Sequence, residues 1–323
     1  MATGSLYFHS PCFDGIVSAA LTAELLEHVD DWPPLEPHAV NYEVREQWLA
    51  RTLGESTAVV DFLYHPQARF WADHHGTAFL TETLRAEFAL RRDPFLIYDA
   101  AASSCALLLW RRFGPDLRRA GRDFDELVRW ADKIDAARYD SVEEAIAATA
   151  PALQITLALS LGDAGDLPER LVSALRTAPL EQVAAWPEIR ERFERGRSLR
   201  ERGLERFKRA ASLAADGIVV FDVDAADTLV SRYAPFLFFP QARYSAGIVR
   251  GASGAKITAM RNPWREFPPA PLGQIAATLG GGGHQRVGSI ALRGDRVASA
   301  PELLERFLTH IRAFEEQATH RGP

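Results

Sequence analysis

The sequence predicts an α/β chain in two parts: an N-terminal domain on a parallel sheet over residues 1–190, joined through a helical linker at 191–214 to a smaller α+β domain at 215–323. Three observations carry that reading. The first half alternates short apolar runs with longer helix-forming segments, the pattern of a parallel sheet with helices on both faces. A charged run, "EIRERFERGRSLRERGLERFKRAASL", has helical composition and no strand character. A second set of strand candidates with its own apolar content follows it.

In the first part, "LYFHS" (6–10) reads as a strand and "GIVSAALTAELLEHV" (15–29) as a helix. "AVNYEV", "TAVVDF", "RFWADHH" and "FLIYD" are further strand candidates, while "TAFLTETLRAEFAL" and "SSCALLLWRRF" have helical composition. The Arg/Glu run reads as a solvated connecting helix, with a phosphate-facing surface as the rival. Beyond it, "GIVVFDV", "YSAGIVRG", "AKITAMR" and "VGSIALR" are strand-like; "DTLVSRYAPFLFF" and "PELLERFLTHIRAF" are helix-like.

A chain of 323 residues accommodates two ordinary domains. A net charge of −6 argues against a duplex-DNA coat, which needs a basic excess, but leaves room for a small anion in a locally positive cleft. Cys12 and Cys105 are the two cysteines, so no disulfide framework is implied. No secretory signal is visible, and no apolar stretch reaches the roughly 18 residues of a membrane span. A soluble cytoplasmic protein is the expectation.

The candidate chemistry sits where strands end. "LYFHSPCFDG" supplies His9 and Asp14, "TAVVDF" supplies Asp61, and "RFWADHHG" supplies Asp73, His74 and His75. In an open α/β sheet the crevice beyond the carboxyl ends of the strands is where ligands bind. Carboxylates clustered with imidazoles suit Mn2+, Mg2+ or Zn2+. Each residue alone has a plainer reading: Asp14 as a helix cap, His9 as a core histidine, Asp61 as a turn residue, His74 and His75 facing opposite sides. Their joint placement favours a metal site. In "FDELVRWADKIDAARY" (124–139), counting about 100° per residue, Asp135 falls within the apolar side and Asp132 towards its edge. A carboxylate aimed into a packed face needs a partner, which a metal or an internal Arg such as Arg138 supplies. Asp135 is therefore preferred over Asp132.

These residues resemble the motifs of the DHH phosphoesterase superfamily. "ADHHGT" resembles its signature, "HSPCFDG" its first motif, "VVDF" its second and "DAARY" its fourth; "AKITAMRNP" and "LGGGGHQRVGSI" look like the Arg-bearing strand and glycine-His turn of the DHH-associated C-terminal domain. The layout is most similar to the nanoRNase/pAp-phosphatase branch. The resemblance implies that His9 and Asp61 hold one Mn2+ ion and that Asp14, Asp61, His74 and Asp135 hold a second, with Asp61 bridging. His75 would contact phosphate or orient the ligands, and Asp73 would support the imidazoles. Arg261, His284 and the glycines Gly281, Gly282 and Gly283 would grip the substrate. Where the family usually carries an aspartate two positions before Asp14, this chain has Cys12. A thiolate there would be a softer, zinc-favouring ligand; the other reading is a small buried residue that ligates nothing.

The expected function is hydrolysis of phosphate esters in small nucleotides or short oligonucleotides (pAp-like, nanoRNA or cyclic dinucleotide) by a two-metal activated water, with Mg2+ or another divalent ion as a substitute for Mn2+. The rival readings are a family member that binds nucleotide or a protein partner without turnover, and an unrelated zinc hydrolase. No second Cys or His-x-His pair supports the last. A homodimer is left open.

Overall fold

The computed structural model describes residues 3–28 and 30–320, apart from the side chains of His284 and of 318–320. The chain divides into two units, one of residues 1–139 and 148–194, the other of 140–147 and 195–323.

Along the chain come β1 (Gly4–His9), α1 (Phe13–His28), β2 (Leu35–Val40), a 3-10 segment (Tyr42–Ala50), β3 (Thr57–Val60) and β4 (Phe70–Asp73). Next are α2 (Glu82–Leu90), β5 (Leu96–Tyr98), α3 (Cys105–Arg119), α4 (Asp125–Asp135) and α5 (Val142–Ala147). Then follow α6 (Pro151–Leu159), α7 (Leu167–Leu175), α8 (Leu180–Ala184) and α9 (Pro187–Ala210).

The first unit is built on a five-stranded sheet in the order β2-β1-β3-β4-β5, every neighbouring pair parallel. "TAVV" and "FWAD" are buried at every residue, as strands covered on both faces must be. The chain leaves β1 towards β2 on one side and returns as β3 on the other, which makes the β1/β3 edge a topological switch point. An aromatic layer of Trp48, Phe62, Tyr64, Trp71 and Phe79 covers one face. Two indoles of this layer donate into the loop after β3: Trp71 Nε1 to the Phe62 carbonyl at 2.9 Å and Trp48 Nε1 to the Leu63 carbonyl at 3.0 Å. Helix α1 lies against α3, α4 and α7. It is buried nearly all round, and even its Glu24 is enclosed, paired with Arg122 (2.9 Å) and Arg176 (2.6 Å). A buried carboxylate left unpaired would cost several kcal/mol.

"AVNYEV" does not form the expected strand. β2 lies earlier and stops at Val40, because the Asn41 side chain accepts from Glu43 N (2.8 Å) and starts the 3-10 segment.

The second unit carries a six-stranded sheet from β6 (Ala211–Leu213), β7 (Ile218–Asp224), β8 (Tyr244–Gly251), β9 (Gly254–Arg261), β10 (Gly282–His284) and β11 (Val287–Leu292). Its order is β10-β11-β9-β8-β7-β6, with β7–β8 the parallel pair. Helices α10 (Ala234–Phe238), α11 (Leu272–Thr278) and α12 (Ala300–His320) complete it. Ile257, Leu272, Ile290, Phe307 and Ile311 form its core.

Three details differ from the sequence reading. Only 234–238 of the "DTLVSRYAPFLFF" segment is helical, starting at a proline-bearing first turn. The segment 140–147 groups with the second unit, where Arg200 Nη1 donates to the Ile146 carbonyl at 2.6 Å. Helix α9 starts in the first unit and ends in the second, the division falling between Glu194 and Arg195. Among the described residues, no helix is long and apolar enough to cross a membrane.

Phe307 has no exposed surface. Phe307→Ala is expected to cost about 3–5 kcal/mol through the cavity it leaves, measured as a lowered denaturant midpoint with unchanged far-UV circular dichroism in buffer.

Candidate metal centre

Register brings the strand-end groups together. Phe8 pairs with Val60 and Val60 with Ala72, so His9, Asp61 and Asp73 occupy the next row at the carboxyl end of the sheet. Helix α1 starts beside them because Gly15 has no Cβ: one added there would stand 2.1 Å from the His9 carbonyl oxygen and 3.2 Å from Asp61 Oδ2.

Asp61 is the hub. Its φ of +53° is a left-handed conformation that aspartate tolerates better than most residues and that turns the chain sharply off β3. Its carboxylate is 1 % exposed and neither oxygen has a hydrogen-bond partner. Around it stand His9 Nδ1 at 3.5 Å, His74 Nε2 at 3.6 Å and His75 Nδ1 at 3.6 Å. His74 and His75 thus do not face opposite sides; both reach Asp61.

The His74 ring is fixed by its Nδ1, 3.1 Å from the Ala102 carbonyl. A carbonyl only accepts, so Nδ1 carries the proton and Nε2 presents its lone pair. That Nε2 is buried, has no hydrogen-bond partner, and lies 3.4 Å from Asp135, 3.6 Å from Asp61 and 4.0 Å from Asp14. Asp14 is held by the start of α3: Cys105 N and Ala106 N donate to its two oxygens at 2.7 and 3.0 Å. Asp73 Oδ1 accepts from His74 N (2.7 Å), His75 N (3.2 Å) and His75 Nδ1 (2.8 Å).

Three groups of potential ligands result, each with atoms within 4.8 Å of one another: His9, Cys12 and Asp61; Asp14, His74 and Asp135; and Asp61, Asp73, His74 and His75. Asp132 is elsewhere. It accepts from Ser103 and pairs with Arg138, so the internal arginine weighed as partner for this helix serves Asp132 instead of Asp135.

The electrostatics are those of a site short of positive charge. Burial, followed by repulsion from Asp135, pushes Asp14 up from 3.8 to about 8. Burial and the Asp14, Asp73 and Asp135 carboxylates push Asp61 up strongly. Burial and the nearby His75 lower His9 to about 4, so its ring is neutral with a lone pair to offer. His74 is lowered for the same two reasons. Burial pulls His75 down as well, but the hydrogen bond and charge of Asp73 outweigh it and the net shift is upward.

A divalent cation fits this donor set. Buried atoms without a hydrogen-bond partner, among them His9 Nδ1, both oxygens of Asp61, Asp73 Oδ2 and His74 Nε2, gather in one place, and all can donate electron pairs.

Tyr42 escaped the sequence reading. Its ring lies 5.0 Å from that of His9 and 5.4 Å from that of Phe62, and it is 37 % exposed at the rim. Burial and the Asp73 and Asp61 carboxylates raise its hydroxyl pKa, so it stays neutral. The signal was a lone aromatic after a helix-starting Asn41, too weak to single out.

In the second unit, Arg261 is 7 % exposed, and its Nη2 donates to the Arg265 and Phe267 carbonyls at 2.6 and 3.3 Å. Gly280, the first of the four glycines, lies in the turn after α11, and the run does not continue as a turn. Gly282 and Gly283 lie in β10, which pairs antiparallel with β11 around Gln285 and Arg286, and Gly281 leads into it. Gly283 has a φ of +146°, and a Cβ there would stand 2.2 Å from the Val287 carbonyl oxygen. The His284 side chain lies outside the described residues.

No protein-family model and no curated protein matches the chain. Solved structures do. A pGpG-specific phosphodiesterase, PggH from Vibrio cholerae, matches with a TM-score of 0.69 at 18 % identity, covering 96 % of this chain and 99 % of that one. RecJ from Thermus thermophilus in complex with Mn2+ matches at 0.59 and 15 %, covering 96 % of this chain and 52 % of that one. A DHH domain from a member of the s1p family of ribosomal proteins matches at 0.56 and 14 %, covering 95 % and 86 %. The chain shares its fold with these proteins: a parallel-sheet α/β unit followed by a smaller α+β unit.

The raised carboxyls set a pH dependence. A group whose folded pKa exceeds its unfolded value stabilises the fold below the unfolded pKa and loses that contribution as pH rises through the folded one. For cation-free protein the window for Asp14 runs from 3.8 to about 8. His9, lowered from 6.5 to about 4, works in the opposite sense below 6.5, so chelator-treated protein is expected to show a Tm that falls between about 6.5 and 8, and added Mn2+ is expected to cancel the fall; scanning calorimetry measures both.

Proposed function

We propose that the chain is a divalent-metal-dependent phosphoesterase acting on small nucleotides or short oligonucleotides. The observation that carries this reading is Asp61: a carboxylate 1 % exposed, with no hydrogen-bond partner, facing His9 on one oxygen and His74 and His75 on the other. Such a group is suited to bridge two cations. His9 and Asp61 would hold one; Asp14, Asp61, His74 and Asp135 would hold the other. Mn2+ is the first candidate and Mg2+ the substitute, in keeping with the mixed oxygen and nitrogen donors. When bound, such a pair lowers the pKa of a water and neutralises charge on phosphoryl oxygens.

The chain's own residues do the rest. The Ala102 carbonyl and the start of α3 fix His74 and Asp14, so neither donor has to reorganise when the site is filled. Asp73 holds His75 and, against the effect of burial, favours its protonated form, which would meet charge developing on the phosphoryl group. Tyr42 presents a half-exposed ring beside His9 on which a base can stack. The PggH neighbour, described as specific for pGpG, favours a substrate of dinucleotide size. Arg261, His284, Gly281, Gly282 and Gly283 are the proposed substrate-holding residues of the second unit, Arg261 through the loop whose carbonyls it binds.

Asp61→Asn is expected to abolish Mn2+-dependent hydrolysis of pGpG and of a chromogenic phosphodiester. It should also raise the Tm of the cation-free protein at alkaline pH, where ionising the buried Asp61 is costly and a neutral amide is not. Retained turnover in that variant would refute the proposal. Tyr42→Ala is expected to raise KM for dinucleotides about five-fold or more, the loss of a stacking contact of about 1–3 kcal/mol, and to leave KM for the chromogenic ester unchanged; steady-state kinetics on the two substrates separate the effects.

A further inference from the structure

We infer that the cation site formed by His9 and Asp61 is completed by the thiolate of Cys12, and that this half of the centre is built for a softer ion than its neighbour. The inference rests on the two-cation reading above and deepens it.

Three observations support it. First, the Cys12 sulfur belongs to the same ligand group as a His9 ring nitrogen and an Asp61 carboxylate oxygen, all within 4.8 Å of one another. Cys105, the other cysteine, belongs to no such group; its sulfur donates to the Ala72 carbonyl at 3.3 Å inside the core. Second, the two partners of Cys12 are themselves unsatisfied. Asp61 is 1 % exposed with both oxygens lacking a hydrogen-bond partner, and His9 Nδ1 is buried in the same condition. Third, the carboxylate nearest in sequence, Asp14, is committed elsewhere. Its oxygens accept from Cys105 N and Ala106 N and face His74 and Asp135, not the His9 side. Among the described residues, Cys12 is thus the remaining donor grouped with His9 and Asp61.

Position also favours sulfur ligation. Cys12 immediately precedes α1, and its carbonyl accepts from Ile16 N at 3.2 Å in the helix's first turn. On binding, the cation takes the place of the thiol proton, which passes to solvent.

The consequence is an asymmetric pair. One position offers imidazole, thiolate and a shared carboxylate, a set that suits Zn2+, Fe2+ or Co2+. The other offers imidazole and three carboxylates, counting the shared Asp61, and suits Mn2+ or Mg2+. A carboxylate in place of Cys12 would give both positions the same types of donor.

Cobalt reads this directly, without turnover. Full-length protein titrated with Co2+ is expected to develop a near-ultraviolet sulfur-to-cobalt charge-transfer band. The band should vanish in Cys12→Ser and Cys12→Asp and persist in Cys105→Ala. In calorimetric titrations, Cys12→Ser is expected to lower Zn2+ affinity by at least roughly 10–100-fold, the loss that even an outer partner of a ligand causes. Cys12→Asp should lower Zn2+ affinity and raise that for Mn2+. No band in the wild-type protein, or a band that survives Cys12→Ser, overturns the inference even if some variant fails to fold, because the wild-type and Cys105→Ala spectra stand alone. A band without phosphoester hydrolysis would uphold the thiolate site and sink the proposed function; hydrolysis without a band would do the reverse.

Discussion

Asp61 constrains everything near it. A carboxylate removed from water and given no donor costs several kcal/mol, and a left-handed backbone at the same residue adds about 1–3 kcal/mol of strain. Both are imposed by the packing around it. The Trp48 and Trp71 indoles donate to the carbonyls of Leu63 and Phe62, so the loop leaving β3 cannot relax away from the crevice. Asp61 N donates to the Ala72 carbonyl at 2.9 Å, which ties the residue to β4 just before Asp73. Each neutral hydrogen bond contributes about 0.5–1.5 kcal/mol net; together with the buried aromatic layer they hold a conformation the residue alone would reject.

The residues around Asp61 divide into donors held from behind and donors left bare. His74 is pinned through Nδ1 by a backbone carbonyl, Asp14 by two backbone amides at the start of α3, and His75 through Asp73. These contacts point away from the shared centre and leave electron pairs turned towards it. Backbone groups are well suited to the task because their positions are fixed by helix and loop geometry, without side-chain rotamers to order. Asp135 projects from the last residue of α4, and the Asp132–Arg138 pair beside it gives the neighbouring carboxylate its own counter-charge. One helix end therefore carries two carboxylates with different partners.

Much of this was legible because parallel strands speak plainly in sequence. "LYFH", "TAVVD" and "RFWADHH" each end an apolar run in a ligand-type side chain, and helical spacing separated Asp135 from Asp132. What sequence could not convey depends on tertiary distance. The amides that hold Asp14 lie 91 and 92 residues away. The carbonyl that orients His74 lies 28 residues away, and the indoles that hold the Asp61 loop say nothing of their targets when read as aromatic residues. The shift of β2 had a local cause, a capping Asn41 inside an apolar-looking run, and with it went sight of Tyr42. Four glycines in a row suggested a turn, but antiparallel pairing claimed Gly282 and Gly283 for an edge strand.

A fold that gathers Asp14, Asp61, Asp73 and Asp135 in one crevice, and leaves both Asp61 oxygens and Asp73 Oδ2 without a hydrogen bond, departs from the rule that buried polar groups find partners within the protein. Glu24, equally buried in the same unit, has by contrast two arginines and a histidine around it. The contrast lies between acids of one unit, so it does not reflect a general shortage of cations in the chain. Near the strand ends arginines are spent on Asp132 and on helix surfaces, while the positions facing Asp61 are imidazoles and a thiol, groups able to be neutral. Neutral donors beside surplus carboxylates cannot balance the charge themselves. They can share a cation from solution, and the stability forgone in its absence is recovered when it binds.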